Sequence, residues 1–186
     1  MMHVKGMHPD PAKGMPAFEL APLQRWPIAA VLAVQAKAYA AHLVEQGAVL
    51  QHKVHAALPG QPLSWGVALA HAPDVLCGYA IACPWQRALA PGLDQAGRLP
   101  PAHLADCLYV HDIAIDPAHQ GHRLAERLMQ HVLQQGRAYG WQQAVLVAVQ
   151  GAHRYWARCG FVAAPVADAP DVSGFGSDAV WMQRAL

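Results

Sequence analysis

Residues 108–161 read LYVHDIAIDPAHQGHRLAERLMQHVLQQGRAYGWQQAVLVAVQGAHRYWARCGF. The apolar run Leu108 to Ile115 predicts a strand that passes through Asp116-Pro117 into the polar turn His119-Gln120-Gly121-His122-Arg123. From about Arg123 to Tyr139 the pattern is that of an amphipathic helix, with Leu124, Leu128 and Val132 on one stripe and Gly140 as its stop. A second apolar strand, Ala144 to Val149, follows, then a short helix ending at Cys159-Gly160-Phe161. A strand that delivers a glycine-containing turn onto a helix N-terminus makes an anion site, because the first-turn N–H groups are unpaired and the helix dipole favours negative charge there. The stretch therefore predicts a phosphorylated ligand held beside a strand.

Working outward, Phe18-Glu19-Leu20-Ala21-Pro22 predicts a short first strand. A helix is expected from about Trp26, with Pro27 in its first turn and Ile28, Val31, Leu32, Gln35, Tyr39 and Leu43 near one stripe. Val49, Leu50, Val54 and Leu58 predict a second short helix closed by Pro59-Gly60. Trp65 to Leu69 and Val75 to Cys83 read as two strands joined by so short a turn that they form a hairpin. Residues 86–106 form a long Pro- and Gly-containing loop, either a plain connector or a wall of an acceptor site. After Phe161 a Pro-, Asp- and Gly-rich segment leads to a last strand, Ala179 to Leu186, whose edge is a candidate homodimer contact. The order β, α, α, β, β, β, α, β, α, β, β is that of an α+β fold, a mixed sheet of six or seven strands flanked by helices.

At 186 residues the chain is long enough for one substantial core. We expect residues 1–16 to be a flexible leader and residues 17–186 to be a single domain. With 54% hydrophobic and 13% charged residues the composition is that of a globular chain rather than a disordered one. A formal net charge of +1 argues against a general nucleic-acid binder. Charge is nevertheless uneven: Arg123, Arg127, Arg137, Arg154 and Arg158 stand against Glu126 alone between residues 120 and 160. Either they are a solvated helix surface or they collar a phosphorylated ligand. Cys77, Cys83, Cys107 and Cys159 form no C-x-x-C pair, which fits buried reduced thiols and a cytoplasmic protein. The histidines are scattered without metal-ligand spacing, so no metal is expected, and no run of the sequence is apolar enough to suggest a membrane partner.

The turn Gln120-Gly121-His122-Arg123-Leu124-Ala125 resembles the Gln/Arg-x-x-Gly-x-Gly/Ala signature of the GCN5-related N-acetyltransferase superfamily at its first and last positions, with Arg123 where the middle glycine stands. Tyr155-Trp156-Ala157-Arg158-Cys159-Gly160-Phe161 resembles that family's aromatic pair followed by x-x-x-Gly-Phe. The resemblance implies a sheet with splayed central strands and about four helices. It also implies transfer of an acetyl group from acetyl-CoA, as co-substrate, to a primary amine of a small molecule, protein or peptide, by direct attack in a ternary complex. The different-class alternative is a catalytically silent acyl-CoA-binding module of the same fold. An unrelated nucleotide-binding protein is disfavoured because neither a P-loop nor G-x-G-x-x-G is present.

Carried over by position, the main chain of Ile113, Ala114 and Ile115 would pair with the pantetheine arm, and the Ile113 N–H would face the oxyanion. The pyrophosphate would lie on the N–H groups of Gln120, Gly121, His122, Arg123, Leu124 and Ala125. Arg123 either needs a positive φ or is already helical; the helical stripe that resumes at Leu124 favours the second. Strand alternation puts Tyr109, His111, Ile113 and Ile115 on one face and Val110, Asp112 and Ala114 on the other. His111 falls where family members carry the amine base, with Asp112 as its orienting partner or, should a bulge shift the register, the base itself. Trp156 takes the place of the family's acidic tyrosine and would pack on pantetheine, leaving adjacent Tyr155 as the candidate general acid. Gln150, at the end of the second apolar strand, would contact the coenzyme or the acceptor. No acceptor residue is evident in 24–58.

Overall fold

A computed structural model describes residues 16–56, 61–89, 92, 99–165 and 167–186. Seven strands form one open sheet: β1 (Phe18–Pro22), β2 (Trp65–Leu69), β3 (Ala72–Trp85), β4 (Cys107–Ile115), β5 (Gln143–Ala148), β6 (Val162–Ala163) and β7 (Val180–Ala185). Four helices flank it: α1 (Ile28–Ala38), α2 (Gly47–Val54), α3 (Leu124–Ala138) and α4 (His153–Arg158). Strand order across the sheet is β1-β2-β3-β4-β5-β7-β6. All neighbours are antiparallel except β4 and β5, which are parallel. The element order is the one the sequence predicts. The leader expected at residues 1–16 and the Pro59-Gly60 stop fall, but for Pro16, outside the described residues.

The helices sort by side. Leu124, Leu128, Met129, Val132 and Leu133 of α3 are buried on Leu108, Val110, Leu146 and Phe161. Gly136 lets α3 approach, since a Cβ there would stand 3.0 Å from side-chain carbons of both Leu108 and Leu186. On the opposite face Val31 and Val34 of α1 and Leu50 and Val54 of α2 pack on Tyr79, Ile81 and Ala114. Burying a Leu or Val side chain is worth roughly 1.5–3 kcal/mol, so these two layers hold the sheet between them. The helix expected from Trp26 through Leu43 is shorter: Pro27 is its N-cap, and at Tyr39 the backbone turns extended (φ −120°, ψ 154°) before a single 3₁₀ turn at Ala41–Leu43. The hairpin turn is tighter than expected too, with β3 starting at Ala72.

Two irregularities in the centre shape the functional region. First, β4 and β5 pair only at Leu108–Ala144 and Tyr109–Val145, although β5 runs on to Ala148. Beyond that point they diverge. Second, the β3–β4 register passes from Ile81–Asp112 to Ala82–Val110, leaving His111 as the extra residue of a bulge. The bulge breaks the alternation that the sequence predicts. Val110, Ile113 and Ile115 pack toward α3, whereas Asp112 and Ala114 face α1 and His111 reaches the α2 side. Among the described residues, no helix is long and apolar enough to cross a membrane.

Candidate active site

The turn after β4 is built by Asp116. Its carboxylate accepts the Ala118 N–H at 3.0 Å and Lys37 Nζ at 2.6 Å, so the turn is tied to α1. Those partners, Lys37 first, hold the Asp116 carboxyl below its ordinary range. Gly121 then takes φ +83°, a conformation glycine adopts without steric cost. Arg123 sits at the N-cap of α3 in the left-handed region, φ 56° and ψ 29°, rather than in the helix as the resuming stripe suggested. The stripe indeed begins at Leu124, but the chain must reverse hand to enter the helix, and Arg123 carries that turn. A left-handed side-chain residue costs roughly 1–2 kcal/mol. In exchange the N–H groups of the first turn of α3 are left open, beside an exposed guanidinium.

A groove runs from this turn, lined by Ile113, Ile115, Gln120, Gly121, Arg123, Leu124, Ala125, Tyr155 and Trp156, with Ala38 and Tyr39 of the α1 end on its far side. Two residues predicted for it stand apart from its lining: His122 packs on the Phe18 ring, centroids 5.2 Å apart, and Ala114 is buried against α1 and α2.

Behind the groove, where β4 and β5 diverge, lies a cleft with a cavity volume of about 180 Å³. Tyr39, Ile113, Ala152 and Trp156 line both spaces, so the two are continuous. Gln150 lines the cleft and not the groove; its backbone is left-handed, φ 52°, ahead of Gly151. Gly151 donates to Asp178 Oδ2 at 3.0 Å, which ties this turn to the 165–179 segment carrying Phe175 over the cleft. None of the described residues of 86–106 reaches the cleft; residues 90, 91 and 93–98 of that loop lie outside the described residues. The apolar side of the cleft is formed by Leu43, Val147, Val149 and Phe175.

Two buried polar clusters form the floor. Asp112 accepts from Tyr79 Oη (2.6 Å), Tyr39 Oη (2.7 Å) and Gln35 Nε2 (3.1 Å). Burial, reinforced by the Asp112 charge, raises both phenols well above their ordinary range, so they stay protonated donors. Beside it, His111 Nε2 bonds a Glu45 carboxylate oxygen, and Lys53 Nζ stands 2.5 Å from the other oxygen and 3.0 Å from the same Nε2. Burial alone would raise the Glu45 carboxyl, but the hydrogen bonds and charges of His111 and Lys53 outweigh it and lower it from 4.5 to about 2. A carboxylate is acceptor-only, so a proton on Nε2 satisfies Glu45, while Lys53 Nζ bonds the other carboxylate oxygen. In that tautomer Nδ1, 3.3 Å from the Tyr109 hydroxyl, carries the free lone pair.

Trp156, in the position where the family signature has tyrosine, stands at the junction of groove and cleft and meets the Phe161 ring edge-on at 6.1 Å. Tyr155 lines the groove from its outer side, toward Cys159. Its buried hydroxyl has no hydrogen-bond partner among the described residues, and burial followed by Cys159 pushes its acidity far down. The sequence reading missed Glu45 and Lys53 altogether. It placed Gln35 and Tyr39 on a buried helical stripe without seeing that their polar ends meet β4.

The fold agrees with what the comparisons find. The model of the acetyltransferase (GNAT) family matches residues 35–161, and the chain belongs to that family. Solved structures share the fold. The loading GNATL domain of CurA from Lyngbya majuscula superposes with a TM-score of 0.71 at 13% identity, covering 91% of this chain and 98% of that one. PaiA N-acetyltransferase from Thermoplasma acidophilum in complex with coenzyme A gives 0.64 at 10% identity, covering 91% and 99%. The ribosomal-protein-S18-alanine N-acetyltransferase from Escherichia coli gives 0.60 at 15% identity, covering 91% and 94%. No curated protein sequence matches the chain.

Proposed function

We propose that the protein transfers an acetyl group from acetyl-CoA to a primary amine by direct attack within a ternary complex. The observation that carries this reading is the continuity of groove and cleft at Ile113 and Trp156: a thioester in one would meet an amine in the other. The first-turn N–H groups of α3 and the Arg123 guanidinium would take the pyrophosphate, as in helix N-terminal anion sites generally. The related PaiA structure holds coenzyme A, which supports the same ligand here.

In the reaction the amine nitrogen attacks the thioester carbonyl, the C–N bond forms, the C–S bond breaks, and the thiolate leaves. His111 Nδ1 takes the ammonium proton, and Glu45, bonded to Nε2, stabilises the imidazolium that results. The main-chain N–H of Ile113 faces the developing oxyanion. Asp112, with its oxygens engaged by Tyr39, Tyr79 and Gln35, is the fixed negative charge of the floor rather than the base. Tyr155 keeps its proton and lines the groove, and it is the candidate donor to the departing thiolate.

Calorimetric titration with acetyl-CoA, followed by thiol release with an amine panel, tests this. Binding and release are expected, with release abolished in His111→Ala while binding persists. Binding without release across the panel would instead establish the silent acyl-CoA-binding module, which the left-handed Arg123 and the tryptophan at 156 favour. Absence of binding would refute both readings.

A further inference from the structure

Granting the acyltransferase reading on which it rests, we infer that the acceptor is a compact primary monoamine with an apolar body and no carboxylate. Three features of the cleft select it. The first is size. About 180 Å³ is well below the roughly 300–1,000 Å³ of sites for drug-sized ligands, so the part of an acceptor that enters behind the splayed strands is small.

The second is the distribution of charge. Every ionisable side chain among the described lining residues is on the floor: Glu45, His111 and Asp112, with Tyr109 and Tyr39 beside them. Glu45 is offset by Lys53, which bonds it directly. Among the described residues Asp112 is hydrogen-bonded by neutral donors, two phenols and an amide, which leave its charge uncancelled. The floor therefore attracts one ammonium and brings it beside His111. No lysine or arginine is among the described residues that line the cleft. An amino-acid acceptor would thus carry its carboxylate close to Asp112 without a counter-ion among the described lining residues, an arrangement that like-charge repulsion and desolvation both disfavour.

The third is the opposite wall. Leu43, Val147, Val149 and Phe175 offer no anion for a second ammonium, which disfavours polyamines, while their apolar surface rewards a hydrocarbon or aromatic body. The Asp178–Gly151 hydrogen bond ties the Phe175 segment to the Gln150 turn and so holds this wall beside the cleft.

Phenethylamine and phenylalanine differ only by the carboxylate and make the decisive pair. Thiol release from acetyl-CoA by the full-length protein should show kcat/KM for phenethylamine at least about tenfold above phenylalanine, putrescine or an alanine-started tripeptide; tenfold corresponds to about 1.4 kcal/mol of discrimination. Phe175→Ala, in a half-exposed surface turn that should tolerate the change, is expected to raise KM for phenethylamine several-fold and leave KM for acetyl-CoA unmoved. Val147→Arg should narrow the gap to phenylalanine by giving its carboxylate a partner. Preference for phenylalanine, putrescine or the tripeptide, with transfer intact, would overturn the acceptor assignment and leave the acyltransferase reading standing. Failure to bind acetyl-CoA at all would overturn both, and the calorimetric titration separates the two cases.

Discussion

The groove and the cleft share Tyr39, Ile113, Ala152 and Trp156, yet they are assembled in opposite ways. Most of the groove comes from one contiguous stretch, Ile113 to Glu126, and its polar groups are chiefly backbone N–H donors presented by a turn and a helix start. The floor of the cleft draws Gln35, Tyr39, Glu45, Lys53 and Tyr79 from far along the chain onto His111 and Asp112, and its polar groups are side chains. A site made of main chain depends little on the side chains that carry it. A site made of interlocked buried side chains does not, because each loss strands a partner. Substitutions at the two sites should therefore fail in different currencies: affinity for the coenzyme on one side, turnover and folding on the other.

The largest effect should come from the cleft floor. His111→Ala is expected to lower kcat/KM by about 10²–10⁴, the usual span for a lost general base, with acetyl-CoA affinity unchanged by titration calorimetry. A matching loss of coenzyme affinity would show that the two sites are not separable as drawn. Asp112→Ala should come next, seen in stability rather than rate. It leaves the Tyr39, Tyr79 and Gln35 donors stranded in a buried space, and each unsatisfied donor costs about 1–3 kcal/mol, so urea unfolding should shift by several kcal/mol. Asp112→Asn keeps the shape and should lose less.

This asymmetry also explains what could be read from sequence. Strand, turn and helix between 108 and 139 are legible because periodicity and turn residues are local signals. The groove residues follow from them. Glu45 carries no such signal: it is a single acid after Leu43-Val44, and only the packing of α2 on β3 brings it and Lys53 to His111. Even the side on which His111 stands depends on the bulge at 110–112, which strict alternation gets wrong. The early end of α1 at Tyr39 was likewise invisible; there the hydroxyl bonds Asp112 across 73 residues of chain.

On the groove side, Arg123→Glu should weaken acetyl-CoA binding about tenfold or more by placing an anion beside the phosphates, without changing KM for the amine. An unchanged affinity would mean that the backbone alone holds the pyrophosphate. Acid titration sharpens the cleft side in turn. The Glu45 carboxyl is lowered to about 2 in the folded chain, so the stability it contributes is complete above its ordinary value of 4.5 and is lost as pH falls toward 2. Glu45→Gln should flatten the dependence of the unfolding midpoint on pH in that window, whereas Asp116→Asn should perturb it less, because Lys37 beside it is largely exposed.

The smallest expected effect tests why the groove tolerates an arginine at all. Arg123→Gly relieves a left-handed side-chain residue at the N-cap of α3, and the gain should be no more than about 1–2 kcal/mol, offset in part by the entropy glycine loses on folding. Were Arg123 merely an accommodated departure, the glycine variant would be slightly more stable and would bind acetyl-CoA as well or better. If the guanidinium contributes to phosphate binding, the same variant gains stability and loses affinity several-fold. The Arg123→Glu result alone cannot separate these, since charge reversal repels the phosphates in either case; the glycine variant removes the charge and the backbone strain together. Thermal unfolding and calorimetry on that one protein report the two consequences independently. Opposite signs would mean that the chain retains a strained turn for the charge it presents.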